Sequence, residues 1–304
     1  MKLNFVTADV FTDRVFGGNP LAVILDGRGV SGALMQRIAR EFNLSETVFV
    51  LPPDDPAHTR RVRIFTPVQE LPFAGHPTVG TALVLAELGL VPLAGGLTRI
   101  ILEEDAGPVP VTIRADRGRP VAAELEAPQA PEIRDGPEPP ALAALLGLTP
   151  GDLVTAHGLP AGVSCGVPFT IVEVTDRGAL ARSRLDRSLW EGLLGDGFGK
   201  SVLVVTRDAP AGYDLQARMY AAYAGIDEDP ATGSAAAALG GFLGSRPGLA
   251  DGIHRWLMAQ GIEMGRPSRL EITAERQDGE LRAVRVAGAA VRVMAGTLTL
   301  GDPG

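Results

Sequence analysis

Short apolar runs alternate with glycine- and proline-bearing turns along the 304-residue chain, and the period of each run predicts its element. Runs rich in β-branched residues predict strands over 22–25, 47–51, 61–66, 111–114, 169–174, 201–206, 269–272 and 281–286. Apolar residues at helical spacing predict helices over 31–42, 78–88, 139–146 and 232–242. The proline-rich, acidic stretch 128–140 (PQAPEIRDGPEPP) reads as a linker. The closing run VRVMAGTLTL reads as a strand able to return to either half.

The order of these elements repeats. RIFTPVQELPFAGHPTVGTALVL near residue 63 and RMYAAYAGIDEDPATGSAAAAL near residue 218 share Pro-x-x-Gly-(Ser/Thr)-Ala. Pro77, Gly80, Thr81 and Ala82 align with Pro230, Gly233, Ser234 and Ala235, an offset of 153 residues, about half the chain. Gly18, Pro20 and LAVIL align with Gly166, Pro168 and FTIVEV at an offset of 148, and the helical pattern near 33–42 is echoed at 188–194. The chain therefore reads as two similar halves: 1–127, to which a closing strand over 293–304 can return, and 128–292.

Composition narrows the function. Hydrophobic residues make up 45% of the chain, enough for a sizeable core. With 28 basic and 36 acidic residues the net charge is −8, which argues against nucleic acid and anionic membrane as partners. A single cysteine, Cys165, excludes an internal disulfide and any mechanism needing two thiols on one chain. With no apolar run resembling a secretory signal near residue 1 and none long enough to span a bilayer, a cytoplasmic protein is expected.

Candidate chemistry gathers at the repeated strings. A helix start carries free N–H groups and partial positive charge, and glycine lets a ligand approach them closely. Two such starts facing one another across an interdomain cleft would bind a small carboxylate. His76 precedes Pro77 and Asp229 precedes Pro230, so the repeat puts them at equivalent positions. Taken singly, each has an ordinary reading: a turn histidine bonded to backbone and a solvated carboxylate in the run 227–229. In NLSETVFVL, Glu46 lies between a helix end and an apolar strand, a half-buried setting that raises a carboxyl pKa and lets it take and return a proton. A solvent-facing strand-edge glutamate is the plainer alternative. Ser45 beside it suits a cap or a ligand hydroxyl.

Other strings carry less. His58, His76, His157 and His254 lack metal-ligand spacing. Gly27, Gly29 and Gly32 form a GxGxxG, but no acidic residue ends a second strand about 20 residues on. GDGFGKS (195–201) lacks the first glycine of a phosphate-binding loop, and the Gly-x-Ser-x-Gly around Ser164 leads into a strand rather than a helix. Cys165 reads as a small buried residue.

DVFTDRVFGGNPLAV (9–23), REFNLSETVFVLP (40–52), RIFTPVQELPFAGHPTVGTA (63–82), GVPFTIV (166–172) and EDPATGSAA (228–236) together resemble the phenazine-biosynthesis-type (PhzF-like) isomerases, relatives of diaminopimelate epimerase. The resemblance implies an α+β fold of two pseudo-symmetric halves, each a barrel-like sheet around a central helix. It implies a homodimer and a cofactor-independent isomerase. Glu46 would shuttle the proton, with His76, Asp229 and Ser234 as its catalytic partners. Ser45 and the backbone of Gly75, Gly233 and Ser234 would bind a small amino- or hydroxy-carboxylate. The two-cysteine chemistry of diaminopimelate epimerase is excluded, since His76 and Ser234 stand in the corresponding neighbourhoods. Two other functions stay open: an amino-acid racemase or epimerase, and a non-catalytic protein that binds a metabolite or partner.

Overall fold

Strand β1 (Lys2–Val10) begins with one face exposed and ends buried on both, and it organises the first half of the chain. The computed structural model describes residues 1–301. It falls into two compact units, one of Met1–Pro128 with the chain from Ala287 onward, the other of Gln129–Val286.

In the first unit β1 pairs antiparallel with β2 (Asn19–Ile24). Helix α1 (Gly32–Phe42) then carries the chain to β3 (Glu46–Leu51), which pairs parallel with β2. Ser31 caps α1 by accepting from the Leu34 amide, and Asn43 ends it in the left-handed region at φ 51°. The buried face of α1, Met35, Ile38 and Ala39, packs on Leu3, Ile24, Phe49 and Phe65. Next come β4 (Arg60–Phe65), antiparallel to β3, and the short β5 (Glu70–Leu71) beside it. Helix α2 (Gly75–Glu87) follows, then β6 (Leu97–Glu104), parallel to β4, and the antiparallel β7 (Gly107–Asp116) and β8 (Arg119–Glu126).

The second unit repeats this wiring. After β9 (Glu132–Asp135), α3 (Pro139–Leu145) and β10 (Leu153–Val154), strands β11 (Ala161–Ser164) and β12 (Pro168–Val174) form an antiparallel pair. Helices α4 (Arg177–Arg182) and α5 (Arg187–Leu194) cross to β13 (Ser201–Thr206), parallel to β12. Then come β14 (Leu215–Ala221), β15 (Ile226–Asp229), α6 (Gly233–Gly244), β16 (Gly252–Gln260) parallel to β14, β17 (Ser268–Gln277) and β18 (Glu280–Gly288). The last strand, β19 (Ala290–Thr299), pairs antiparallel with β1 and so returns to the first unit. In the second unit β9 holds the corresponding place beside β11. The fold class is α+β.

Each unit has one helix at its centre. From Gly75 to Ala86 every residue of α2 is buried, and α6 is buried along its length apart from Ser234. A helix apolar all round belongs in a core rather than at a surface. α2 packs against β1, β2, β7 and β8, and α6 against β11, β12 and β17.

Three expectations change. The helix predicted over 78–88 starts at Gly75, because a proline is tolerated in a first helical turn, where an N–H needs no intrahelical partner. The linker at 128–140 contains β9, whose four exposed residues leave no apolar signature although its backbone bonds to β11. Gly80, expected to bare a helix start to ligand, lies inside α2 instead. A Cβ there would stand 2.5 Å from Val10 Cγ2 and 2.7 Å from Leu21 Cδ2. Its role is the close approach of the helix to β1 and β2.

Gly80→Ala therefore lowers stability by about 1–2 kcal/mol, since overpacking outweighs the gain in helix propensity. The midpoint of denaturant unfolding measures this, and a stabilised variant would contradict the packing role.

Candidate active site

Three elements of the first unit bring side chains to one buried place. Asn19 opens β2, Glu46 opens β3, and His76 is the second residue of α2. The parallel register of β2 and β3 sets Leu21 opposite Glu46, and Asn43 turns the chain out of α1 so that β3 can begin there. All three side chains are buried. His76 Nε2 lies 3.2 Å from Glu46 Oε2, and His76 Nδ1 lies 3.2 Å from Asn19 Nδ2. When the Asn19 amide donates to Nδ1, the ring proton sits on Nε2 and faces the Glu46 carboxylate. Burial pulls the imidazole pKa down to about 3, opposed in part by the Pro20 carbonyl, so the ring is neutral at pH 7. A carboxyl group and a neutral imidazole in contact, both out of water, can hold and pass a proton.

The loop that delivers Asn19 is pinned by Asp9, whose carboxylate accepts from the Phe16 amide at 2.6 Å. Gly18 precedes Asn19 at φ 59°, where a Cβ would stand 2.2 Å from the Val10 carbonyl oxygen. Only glycine fits that approach.

In the second unit β15 ends at Asp229, and three residues of loop lead to α6. The Thr232 hydroxyl donates to Asp229 Oδ2. Fully buried Gln260 ties the loop together. Its Oε1 accepts from the Thr232 amide at 3.1 Å, while Nε2 donates to the Asp229 carbonyl at 2.7 Å and lies 3.1 Å from Thr232 Oγ1. Ser268 Oγ donates to the Pro230 carbonyl at 2.9 Å. Buried Arg218 forms a two-pronged pair with Glu228 at 2.8 and 2.7 Å and donates to the Ser183 carbonyl at 2.9 Å, which fixes β15 just before Asp229. The first turn of α6 then presents Gly233 and the half-buried Ser234.

His76 and Asp229 are thus not equivalent in backbone setting, although the repeat aligns them. His76 lies inside a helical turn, whereas Asp229 ends a strand four residues before its helix. Pro77 is helical and Pro230 is not, so the shared string sits at different depths in the two helices. Ser45 is half-buried in the turn before β3, and Gly75 is the buried first residue of α2. Cys165 is buried against α6, near Ala237 and Gly241, and burial pushes its thiol up to about 12. Ser164 Oγ accepts from the Gly166 amide, and the GxGxxG string leads into a helix already capped by Ser31. Asn19, Gln260 and Arg218 were not singled out from sequence; only Asn19 carried a signal, as part of GGNP.

The α+β fold is of the diaminopimelate-epimerase-like type. The chain belongs to the family described as phenazine biosynthesis-like protein, whose model matches residues 8–296. It is 42% identical to an uncharacterized isomerase of Mesorhizobium japonicum, over 97% of this chain and 98% of that one. It is 36% identical to the trans-2,3-dihydro-3-hydroxyanthranilate isomerase of Pseudomonas aeruginosa, over 93% of this chain and 95% of that one. Among solved structures, the Bacillus anthracis phenazine biosynthesis protein of the PhzF family superposes with a TM-score of 0.89 at 26% identity, covering 99% of this chain and all of that one. The protein is a PhzF-like isomerase. No helix among the described residues is long and apolar enough to cross a membrane.

The state of His76 is visible in stability. The folded ring stays neutral down to about pH 3, while the unfolded ring takes a proton below about pH 6.5, so this residue costs stability as pH falls through that window. His76→Gln removes that contribution. Its denaturant midpoint falls less between pH 7 and pH 4 than the wild-type midpoint does, and equal slopes would contradict the neutral buried ring.

Proposed function

We propose that the protein is a cofactor-independent isomerase that moves a proton on a small amino- or hydroxy-carboxylate, with Glu46 as the group that removes and returns it. The observation that carries this reading is the 3.2 Å contact between His76 Nε2 and Glu46 Oε2 inside the first unit. Taking a carboxylate out of water disfavours its charged form, and the neighbouring neutral imidazole adds no positive charge to offset this. After taking a proton from carbon Glu46 is the acid that delivers it to a second carbon, so no net proton is consumed. His76 packs against Glu46 at 3.2 Å, and Asn19 fixes the ring from its other nitrogen.

Charge developing on the substrate needs donors aimed at it. Gly75 at the start of α2 and Gly233 and Ser234 at the start of α6 supply helix N-terminal N–H groups suited to a carboxylate. Asp229 and Ser234 are assigned to the same chemistry, Asp229 accepting from a substrate amine or hydroxyl and the Ser234 hydroxyl donating to the substrate; Ser45 is assigned to binding. The favoured substrate is a cyclohexadiene carboxylate like trans-2,3-dihydro-3-hydroxyanthranilate, which the Pseudomonas aeruginosa relative is named for isomerising. The same reading has the protein acting in the cytoplasm as a homodimer, which light scattering of the purified protein checks.

The test is proton NMR of the purified protein in D₂O with trans-2,3-dihydro-3-hydroxyanthranilate. Wild type converts it, with deuterium at the new position in the fraction of turnovers in which the Glu46 acid exchanges with solvent before returning its proton, while Glu46→Gln loses about 10²–10⁴-fold in rate, the range for removing a general acid–base group. Asp229→Asn falls in the same direction. Turnover by Glu46→Gln at the wild-type rate would overturn the role of Glu46, and absence of turnover by wild type would overturn this substrate. Deuterium uptake accompanied by loss of optical rotation in a small amino acid would instead identify an epimerase.

A further inference from the structure

Glu104, the last residue of β6, is buried beneath the first turn of α2 and has no part in the chemistry above. Its Oε1 is hydrogen-bonded to the Thr78 hydroxyl. The backbone N–H of Ala74, the residue before α2, also faces the carboxyl. Ala74 has no side chain with which to cap the helix, so Glu104 takes that place from a neighbouring strand. Ala74 and Thr78 stand two residues either side of His76. One buried carboxyl group therefore grips both ends of the turn that carries the imidazole.

Counting protons gives its form. Thr78 Oγ1 also lies 2.6 Å from the Ala74 carbonyl oxygen, which can only accept. A hydroxyl has one hydrogen. If it goes to Ala74, the contact with Glu104 needs a hydrogen on the carboxyl. The second oxygen, Oε2, is buried without a hydrogen-bond partner, which an ionised carboxylate tolerates poorly and a neutral acid tolerates better. The charged group acting on Glu104 is Asp105, which opposes its ionisation and is itself 3.6 Å from Arg61. Burial is the largest cause and pushes the Glu104 pKa up to about 8.

We propose that Glu104 is a positioning residue for His76: in its acid form it donates to Thr78, leaves the Thr78 hydroxyl to close onto Ala74, and so holds the first turn of α2 with His76 Nε2 toward Glu46. Ionisation reverses the Thr78 bond, since the hydroxyl then turns to the carboxylate and leaves Ala74. The turn loosens and the imidazole loses its alignment. This rests on the functional reading above only in what the alignment is for.

The first measurement needs no substrate. In protein with ¹⁵N-labelled histidine, the His76 ring signals are followed from pH 6.5 to 9.5. The ring itself titrates near pH 3, so a step near pH 8 reports a neighbour. The step is expected in wild type and absent in Glu104→Gln, whose amide can donate and accept as the acid does but cannot ionise. A wild-type signal flat over that range, or a step that persists in Glu104→Gln, would overturn the proposal.

The second measurement follows isomerisation against pH. The acid form of a group with pKa about 8 falls about tenfold between pH 7 and pH 9, and the wild-type kcat falls with it. Glu104→Gln rescues activity at pH 9, whereas Glu104→Leu, checked for folding by circular dichroism, loses kcat at both pH values with KM changed little. A fall in Glu104→Gln as steep as in wild type would overturn the proposal. An NMR step lost in Glu104→Gln, together with no turnover of any carboxylate by wild type, would support Glu104 while removing the proposed function.

Discussion

An imidazole and a carboxyl group share a buried place at the start of a helix that no face of which reaches water, and much of the first unit exists to make that arrangement tolerable. Taking such groups out of water is costly unless they are bonded to one another and to their surroundings. The bonds come from separate parts of the chain: Asn19 from β2, Glu46 from β3, His76 from α2. Moving any of these elements by an ångström breaks the set. The close approach at Gly80, the tight loop at Gly18 and the Asp9 hold on that loop are the means by which β1, β2 and α2 keep their spacing.

The second unit uses the same wiring for a different local purpose. Its central helix is preceded by a loop rather than by an extra helical turn, and the loop is fixed by a buried glutamine instead of by a histidine pair. Gln260 meets backbone and hydroxyl groups at once, which an apolar residue of the same size would leave unsatisfied. The result is a stretch from Asp229 to Thr232 tied by side-chain bonds to Gln260 and Ser268 just before α6. One fold thus has two kinds of helix start, one with a buried histidine in its first turn and the other preceded by a loop that follows a strand.

Much of this was legible in the chain. Helical spacing located both central helices, and β-branched runs located strands such as β2, β3, β4, β12 and β13, whereas β1, β6, β8, β14 and β16 carry no such run and are set by pairing. The repeated Pro-x-x-Gly string revealed two halves, and Glu46 was marked by its place between a helix end and an apolar strand. The sequence of the exposed strand β9 has the composition of a linker, because edge pairing is made by backbone and leaves no trace in side-chain pattern. The repeat aligns His76 with Asp229, and they differ in setting because α2 begins two residues before its shared proline whereas α6 begins three residues after its own.

Local pattern therefore determined the elements, their order, the internal repeat and the residue types fit for proton transfer. Tertiary structure alone decided which of them meet. Asn19 and His76 are 57 positions apart, Thr78 and Glu104 are 26 apart, and Thr232 and Gln260 are 28 apart. Contacts at that separation depend on register, on helix depth and on how closely a glycine lets backbones approach. The same packing shifts the protonation equilibria, since it is burial that lowers the pKa of His76 and raises that of Glu104.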